Sequence, residues 1–317
     1  MKLTKLFVGA FALSAMLVAC GDDSASAKDT EIEELSSSSA VEIASSSSTT
    51  RNDSLSSSAI ESSSSSVLAN SSSSETTQSS SSITTTTPCN VDGENNCVYG
   101  TLTDTRDGQT YKTVTIGDQT WMAENLNYAY TGVPYNKVGS YVYTSDSTSW
   151  CYDNDPANCA KYGRLYTWAA AIDSVKLATD ADNPLDCGYG KTCGLSGKVQ
   201  GVCPEGWHLP SYDEWNTLVT AVGGLSTAGK VLKSQTGWTA YDRITITNED
   251  SFGFSALPAG YRYNNGYYYE GYRAYFWSST ESRSYYAYRM YLYYSYDYAY
   301  LSDDVKDDGR SVRCVKD

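Results

Sequence analysis

From about residue 88 to 317 the sequence predicts an α+β domain of short antiparallel strands with two or three helices, cross-linked by disulfides. Three observations carry this expectation. Alternating apolar and polar stretches, bounded by Gly- and Asp-containing turn signals, occur near both ends of the segment. Between them, apolar residues recur at spacings of three and four. Eight of the nine cysteines also fall here.

The first element is a β-meander over 100–128. Asp107-Gly108 reads as a type I′ turn. Tyr111-Lys112-Thr113-Val114-Thr115-Ile116 alternates as a half-buried strand, Gly117-Asp118 is a second turn, and Gln119-Thr120-Trp121-Met122 continues as a strand. A helix is predicted over 162–172, with Leu165, Trp168, Ala169 and Ile172 on one face. Ser211-Tyr212-Asp213-Glu214 is a capping box, hydroxyl first and carboxylate three residues later. Trp215, Leu218, Val219 and Val222 follow at helical spacing, and Gly223-Gly224 ends that helix. Residues 226–233 predict another short helix. From Phe252 to Val315 the pattern returns to short strands and turns.

Residues 1–20 are of a different kind. Lys2 and Lys5 form a basic start, and an apolar run follows from Leu6 to Ala19. The run has the length of a signal-peptide core and is too short for a permanent membrane span. It ends Leu17-Val18-Ala19-Cys20-Gly21, which resembles the lipobox of bacterial lipoproteins. That resemblance implies cleavage before Cys20 and acylation of its sulfur, and anchoring by two or three acyl chains is stable where one is marginal. Asp22 and Asp23 after the anchor resemble a surface-export signal of some bacterial groups, whereas in others an Asp near this point resembles an inner-membrane retention signal; of the two, an outer-membrane, surface-exposed location is the expectation. Residues 21–87 are dominated by Ser and Thr, as in Ser36–Ser39, Ser62–Ser66 and Thr84–Thr87, with no sustained period. Such a composition buries too little to offset chain entropy and is expected to form a disordered tether. A coil of roughly 65 residues reaches on the order of 40–50 Å.

Charge narrows the partners. The chain has 23 basic and 37 acidic residues, a net charge of −14. Removing Lys2 and Lys5 with the signal leaves 21 against 37, or −16. Nucleic acid and anionic lipid surfaces are therefore poor partners. With Cys20 set aside for lipid, an oxidising compartment makes disulfides the default reading of the other eight cysteines. Eight cysteines allow 105 pairings. Spacing suggests Cys89 with Cys97, Cys151 with Cys159 and Cys187 with Cys193, leaving Cys203 for Cys314. A zinc site is the weaker alternative, because there is no CxxC pair and one histidine.

Six blocks then stand in order: Thr105–Tyr111, Gly117–Asn127, Tyr162–Trp168, Cys203–Ser211, Phe276–Glu281 and Ser311–Val315. Over nearly all of 99–317 they resemble the Fibrobacter succinogenes major paralogous domain. The resemblance implies a secreted or lipid-anchored protein of a fibre-associated bacterium, and it brings no settled activity. The segment from Trp207 to Trp215, and Arg313-Cys314-Val315, are also distantly similar to formylglycine-generating-enzyme-like domains. That likeness implies a C-type-lectin-like fold with neighbouring termini, which a Cys203–Cys314 bridge suits. The oxidase activity of those enzymes needs a reactive cysteine pair near the C-terminus. Only Cys314 stands there, so the activity does not carry over.

The candidate chemistry is sparse. His208 is the single histidine and sits just before a helix cap, where a structural role suits it. Glycosidases work with two carboxylates and no histidine. Glu124, Glu214 and Glu281 are the candidates for that alternative, and a non-enzyme is expected. No cofactor is expected; calcium is considered at Asp153-Asn154-Asp155, at Asp180, Asp182, Asn183 and Asp186, and at Asp303-Asp304 with Asp307-Asp308, none with EF-hand spacing. Tyrosine is the outlier. There are 29, crowded into 261–300. A hairpin centred on Ser295–Asp297 would carry phenols on both faces, one of them free to bind. Rings with hydroxyl edges suit sugars and peptides. The expectation is a non-catalytic module for polysaccharide or a surface protein, using Tyr286, Tyr288, Tyr294, Tyr296, Tyr298 and Trp277. A structural or protein-interaction envelope lipoprotein is the alternative.

Overall fold

The structure is a computed structural model that describes residues 86–131, 149–241 and 248–317. The segment expected to be a signal, with Cys20, and nearly all of the expected tether lie outside the described residues. Among the described residues no helix is long and apolar enough to cross a membrane.

The chain begins with a small ladder, β1 (Asn90–Val91) against β2 (Glu94–Asn95). The meander follows as β3 (Gly100–Thr103), β4 (Thr110–Ile116) and β5 (Gln119–Met122). Gly117 alone takes a left-handed φ, 60°, in the two-residue β4–β5 loop, the pattern of a type II′ turn. The β3–β4 connection is not the expected type I′ turn at Asp107-Gly108. It spans Asp104–Gln109, and only Gly108 has positive φ, whereas type I′ needs it at both centres. Buried Asp104 organises it, accepting from Arg106 Nη2 at 2.6 Å and from the Arg106 backbone N–H at 3.1 Å.

Next come β6 (Ser149–Trp150), a 3-10 turn over Tyr152–Asn154, α1 (Pro156–Tyr162), β7 (Leu165–Tyr166), α2 (Trp168–Ala171) and α3 (Ser174–Ala178). The single helix expected over 162–172 is therefore absent. Gly163 ends α1 with φ 72°, and a Cβ there would lie 2.8 Å from the Leu126 carbonyl oxygen. Leu165 and Tyr166 pair with β6, and the Thr167 side chain caps a new helix by accepting from Ala170 N–H. There are five α-helices among the described residues where two or three were expected, because the middle of the chain is cut into short capped pieces.

The rest follows the sequence reading more closely. β8 (Trp207–His208) precedes α4 (Tyr212–Ala221), whose capping box is formed in both directions. Trp215, Leu218 and Val219 on α4 are buried. After Gly223-Gly224 comes α5 (Leu225–Leu232). The C-terminal strands are β9 (Ala259–Tyr263), β10 (Gly266–Glu270), β11 (Arg273–Arg283), β12 (Tyr286–Tyr293), β13 (Ala299–Val305) and β14 (Val315–Lys316).

Two antiparallel sheets dominate. The first has the order β3-β4-β5-β14-β8, so the last strand lies between the meander and β8. The second is β11-β12-β13. A core of Trp121, Trp215, Phe254, Phe276, Met290 and Leu292 joins both sheets to α4 and α5. Trp121 and Trp215 meet at 4.7 Å between ring centroids. The disulfides are Cys89–Cys97, Cys151–Cys159, Cys187–Cys193 and Cys203–Cys314. The last spans 111 residues and ties β14 to the segment before β8.

Candidate binding face

The second sheet has one face on the core and one on tyrosine. Along β11 and β12, Ala274, Phe276, Met290 and Leu292 point into the core. The intervening residues Arg273, Tyr275, Tyr291 and Tyr293 share the other face, as strand alternation requires. Register sets Tyr275 opposite Tyr291 and Tyr291 opposite Tyr300. The rings stack like coins across three strands, 5.4 Å and 26° apart for the first pair and 4.3 Å and 5° for the second. Rings stacked this way cover each other's faces; Tyr275 is itself buried, and Tyr291 and Tyr300 leave mainly their edges, with the phenol groups, for a ligand.

The row continues at both ends. Tyr261 meets Tyr275 edge-on at 5.4 Å. At the hairpin tip the rings run Tyr300, Tyr298, Tyr296, Tyr293 and Tyr294, then to Tyr272 and Tyr241. Ten tyrosines thus form one chain in which no step exceeds 5.5 Å. Tyr272, Tyr296 and Tyr298 are exposed, as are Tyr263, Tyr268 and Tyr269 on the adjoining β9–β10 hairpin.

The tip is held from below. Lys233 is fully buried, and its Nζ donates to the carbonyl oxygens of Tyr296 at 2.9 Å, Tyr293 at 3.2 Å and Tyr294 at 3.5 Å. Burial pushes this lysine down to about 8, with Asp297 pulling weakly the other way. Lys230 N–H donates to the Asp297 carbonyl at 2.9 Å. Gly229 lets α5 approach so closely that a Cβ there would lie 2.4 Å from the Tyr298 oxygen.

Guanidinium groups line the same face. Arg289 lies 4.5 Å from the Tyr291 centroid and Arg310 lies 4.4 Å from that of Tyr275. Both pair with Asp304 at 2.7 Å, and Arg310 also pairs with Asp308 at 2.8 Å. Burial raises Asp308 to about 7, outweighing the pull of Arg310. Arg273 sits 4.0 Å from the Tyr269 centroid and 5.0 Å from that of Tyr293.

The residues expected to bind do not converge. Tyr294, Tyr296 and Tyr298 belong to the tip. Tyr286 and Tyr288 lie at the far end of β12, on the side of the sheet that carries Met290, about 20–26 Å along the strand from Tyr294. There Tyr288 packs on Tyr212 at 4.7 Å, and Asp213 and Glu214, next along α4, line a cleft of about 410 Å³ together with Leu195, Lys198, Val199 and Thr280. Trp277 is a correction. It is fully buried, its indole N–H donates to the Tyr166 carbonyl at 2.8 Å, and no surface ligand can reach it. Tyr241, Tyr261, Tyr272, Tyr291, Tyr293, Tyr300 and Arg273 are the members of the face that the sequence reading missed, and Tyr275 continues the row as a buried ring.

Each of the carboxylates considered for catalysis has local partners. Glu124 accepts from Lys112 N–H at 2.6 Å. Glu281 pairs with buried Lys306 and accepts from Cys193 N–H at 3.0 Å. Glu214 caps α4 and accepts from His208 Nε2 at 2.7 Å. His208 is buried, with Nδ1 2.6 Å from Asp317. Burial lowers its proton affinity, but the two carboxylates prevail and raise its pKa. Among the described residues no group of three or more Asp, Glu, His or Cys side chains is placed to hold a metal. In the acidic stretches considered for calcium, Asp155 caps α1, Asp180 accepts from Asp182 and Asn183 N–H, and Asp303 accepts from Ser282 Oγ at 2.7 Å.

A disulfide-linked α+β domain with a tyrosine-covered sheet is the class that fold and face define. The family model described as the Fibrobacter succinogenes major domain matches residues 114–316, and the chain belongs to that family. No curated protein and no solved structure matches it.

Proposed function

We propose that the protein is a lipid-anchored surface lipoprotein whose domain binds polysaccharide without catalysis. The observation that carries this reading is the continuous tyrosine row on a sheet face fixed from below by α5. Tyrosine offers area and a hydroxyl at little rotamer cost, so rigid rows of it suit repetitive, hydroxyl-rich ligands. An extended flat face fits a long chain better than a small molecule, which prefers a concave pocket. The local structural partners of Glu124, Glu214 and Glu281 support a non-enzyme. Anchoring rests on Lys2, Lys5, the apolar run and Cys20, and the Ser/Thr-rich segment would hold the domain away from an outer-membrane surface.

A C-type-lectin-like fold belongs to the same reading. Its support is the placement of β14 beside β5 and the long-range Cys203–Cys314 bridge. The test is co-sedimentation of the soluble chain from Gly21 onward with cellulose, xylan, pectin and chitin, with and without calcium. Retention on at least one is expected. Failure on all would move the reading to a protein partner on the envelope.

A further inference from the structure

Arg273 differs from the other cations of the tyrosine face. Arg289 and Arg310 have carboxylate partners. Arg273 has none among the described residues; its Nη1 donates to Tyr275 Oη at 3.0 Å, and its Nε is buried without a hydrogen-bond partner, so a ligand would meet the Nη edge of the guanidinium. Its guanidinium lies between the rings of Tyr269 and Tyr293, so it is positioned on both sides and keeps its charge.

The neighbouring backbone is shaped to build this arrangement. Tyr269 has φ 62°, a left-handed conformation that is an outlier for an aromatic residue. Gly260 permits it, since a Cβ at that position would lie 2.2 Å from the Tyr268 oxygen. The turn is fastened by Tyr272 N–H donating to Tyr269 O at 3.0 Å and Gly271 N–H donating to Pro258 O at 2.9 Å. Strain of this kind persists where the surroundings over-determine it, and it concentrates at ligand sites. Here it brings an exposed phenol ring over an arginine with no acid beside it.

From this we infer that Arg273 is the anion subsite of the tyrosine face, and that the ligand is an acidic polysaccharide whose uronate carboxylates meet this guanidinium while its hydroxyls meet the phenol edges. The inference rests on the polysaccharide reading and narrows it. A planar guanidinium matches a carboxylate in two-point geometry, which an ammonium does not. The chain is acidic as a whole, which opposes approach of a polyanion at long range. At physiological ionic strength that field decays over about 8 Å, so short-range contact decides, and Asp304 and Asp308 on this face are already neutralised by Arg289 and Arg310.

The experiment is affinity electrophoresis of the soluble chain from Gly21 onward through polygalacturonate, its methyl ester and a neutral glucan, for wild type, Arg273→Gln and Arg273→Lys. Wild type is expected to prefer polygalacturonate over the ester, and the preference should fall with added salt. Arg273→Gln should weaken polygalacturonate binding roughly ten- to hundredfold and abolish the preference for polygalacturonate over its ester, with a smaller loss on the neutral glucan, and Arg273→Lys should restore the preference only in part. Unchanged near-ultraviolet circular dichroism would show that both variants keep the tyrosine packing. Equal affinity for polygalacturonate and its ester, or equal binding by wild type and Arg273→Gln, overturns the inference while leaving polysaccharide binding intact. Absence of binding to all three polymers overturns both readings.

Discussion

Lys233 Nζ lies 2.9 Å from the carbonyl oxygen of Tyr296, across 63 residues of sequence, with no carboxylate ion-paired to it among the described residues. A buried ammonium satisfied by main-chain oxygens fixes the position of those oxygens. Lys233→Met keeps the length of the side chain but leaves the carbonyls of Tyr293, Tyr294 and Tyr296 without their donor. Unsatisfied buried acceptors cost roughly 1–3 kcal/mol each, offset in part because the charge no longer needs burial. A net loss of about 1–2 kcal/mol in urea unfolding is expected, with faster amide exchange confined first to 293–298. Unchanged exchange at the tip would mean that the lysine does not hold it.

Gly229 makes a second, independent claim about the same contact. Its Cα faces the Tyr298 carbonyl, and added methyl bulk meets backbone that cannot rotate away. Gly229→Ala gains helix propensity of about 1 kcal/mol yet should lower stability by roughly 1–3 kcal/mol through overpacking. A thermal melt that rises would show that α5 and the tip are further apart than described.

His208 between Glu214 and Asp317 predicts a pH window. The folded pKa of His208 is raised, so its contribution is complete below the ordinary value of about 6.5 and is lost as pH rises through the higher folded value. Glu214 is pulled down to about 2 by His208 and Ser211 against the opposing effect of burial. Its contribution is complete above about 4.5 and fades as pH falls towards 2. The stability difference between wild type and His208→Gln should therefore be greatest between about pH 4.5 and 6.5 and shrink on either side. Urea midpoints across that range measure it, and a difference that grows above neutrality would contradict the assignment.

The Cys203–Cys314 bridge closes the longest disulfide loop among the described residues. Replacing both cysteines by serine should cost about 2–5 kcal/mol, more than opening Cys187–Cys193, whose partners are six residues apart. Equal losses in calorimetric stability from the two double variants would show that loop length does not govern them here.

Local signals proved readable in this sequence, and long-range ones did not. The capping box at Ser211 and Glu214 needs only residues three apart, and α4 begins where it says. The break at Gly163 is dictated by Asn125 and Leu126 approaching from the meander, so helical spacing over 162–172 was misleading. The tyrosine excess and the place of the β12–β13 hairpin were legible, but a centre at 295–297 sets Tyr291 opposite Leu301, one residue from the observed Tyr291–Tyr300 pair, and a slip of one residue exchanges the faces of the strand. Tyr275 joining the row was not legible, because β11 meets β12 with register shifts between Trp277 and Arg283. Trp277 resembled a surface aromatic by composition alone. Its burial depends on Tyr166, over a hundred positions away.

The central claim is that the tyrosine row at the hairpin tip is the binding surface. Co-sedimentation of the soluble chain with insoluble polysaccharide, comparing Tyr296→Ala/Tyr298→Ala with Tyr286→Ala/Tyr288→Ala, tests it directly because the two pairs lie at opposite ends of β12. The account predicts that the tip pair loses about tenfold or more in affinity and that the far pair binds as wild type does. Full retention by the tip variant, or loss confined to the far pair, would contradict it.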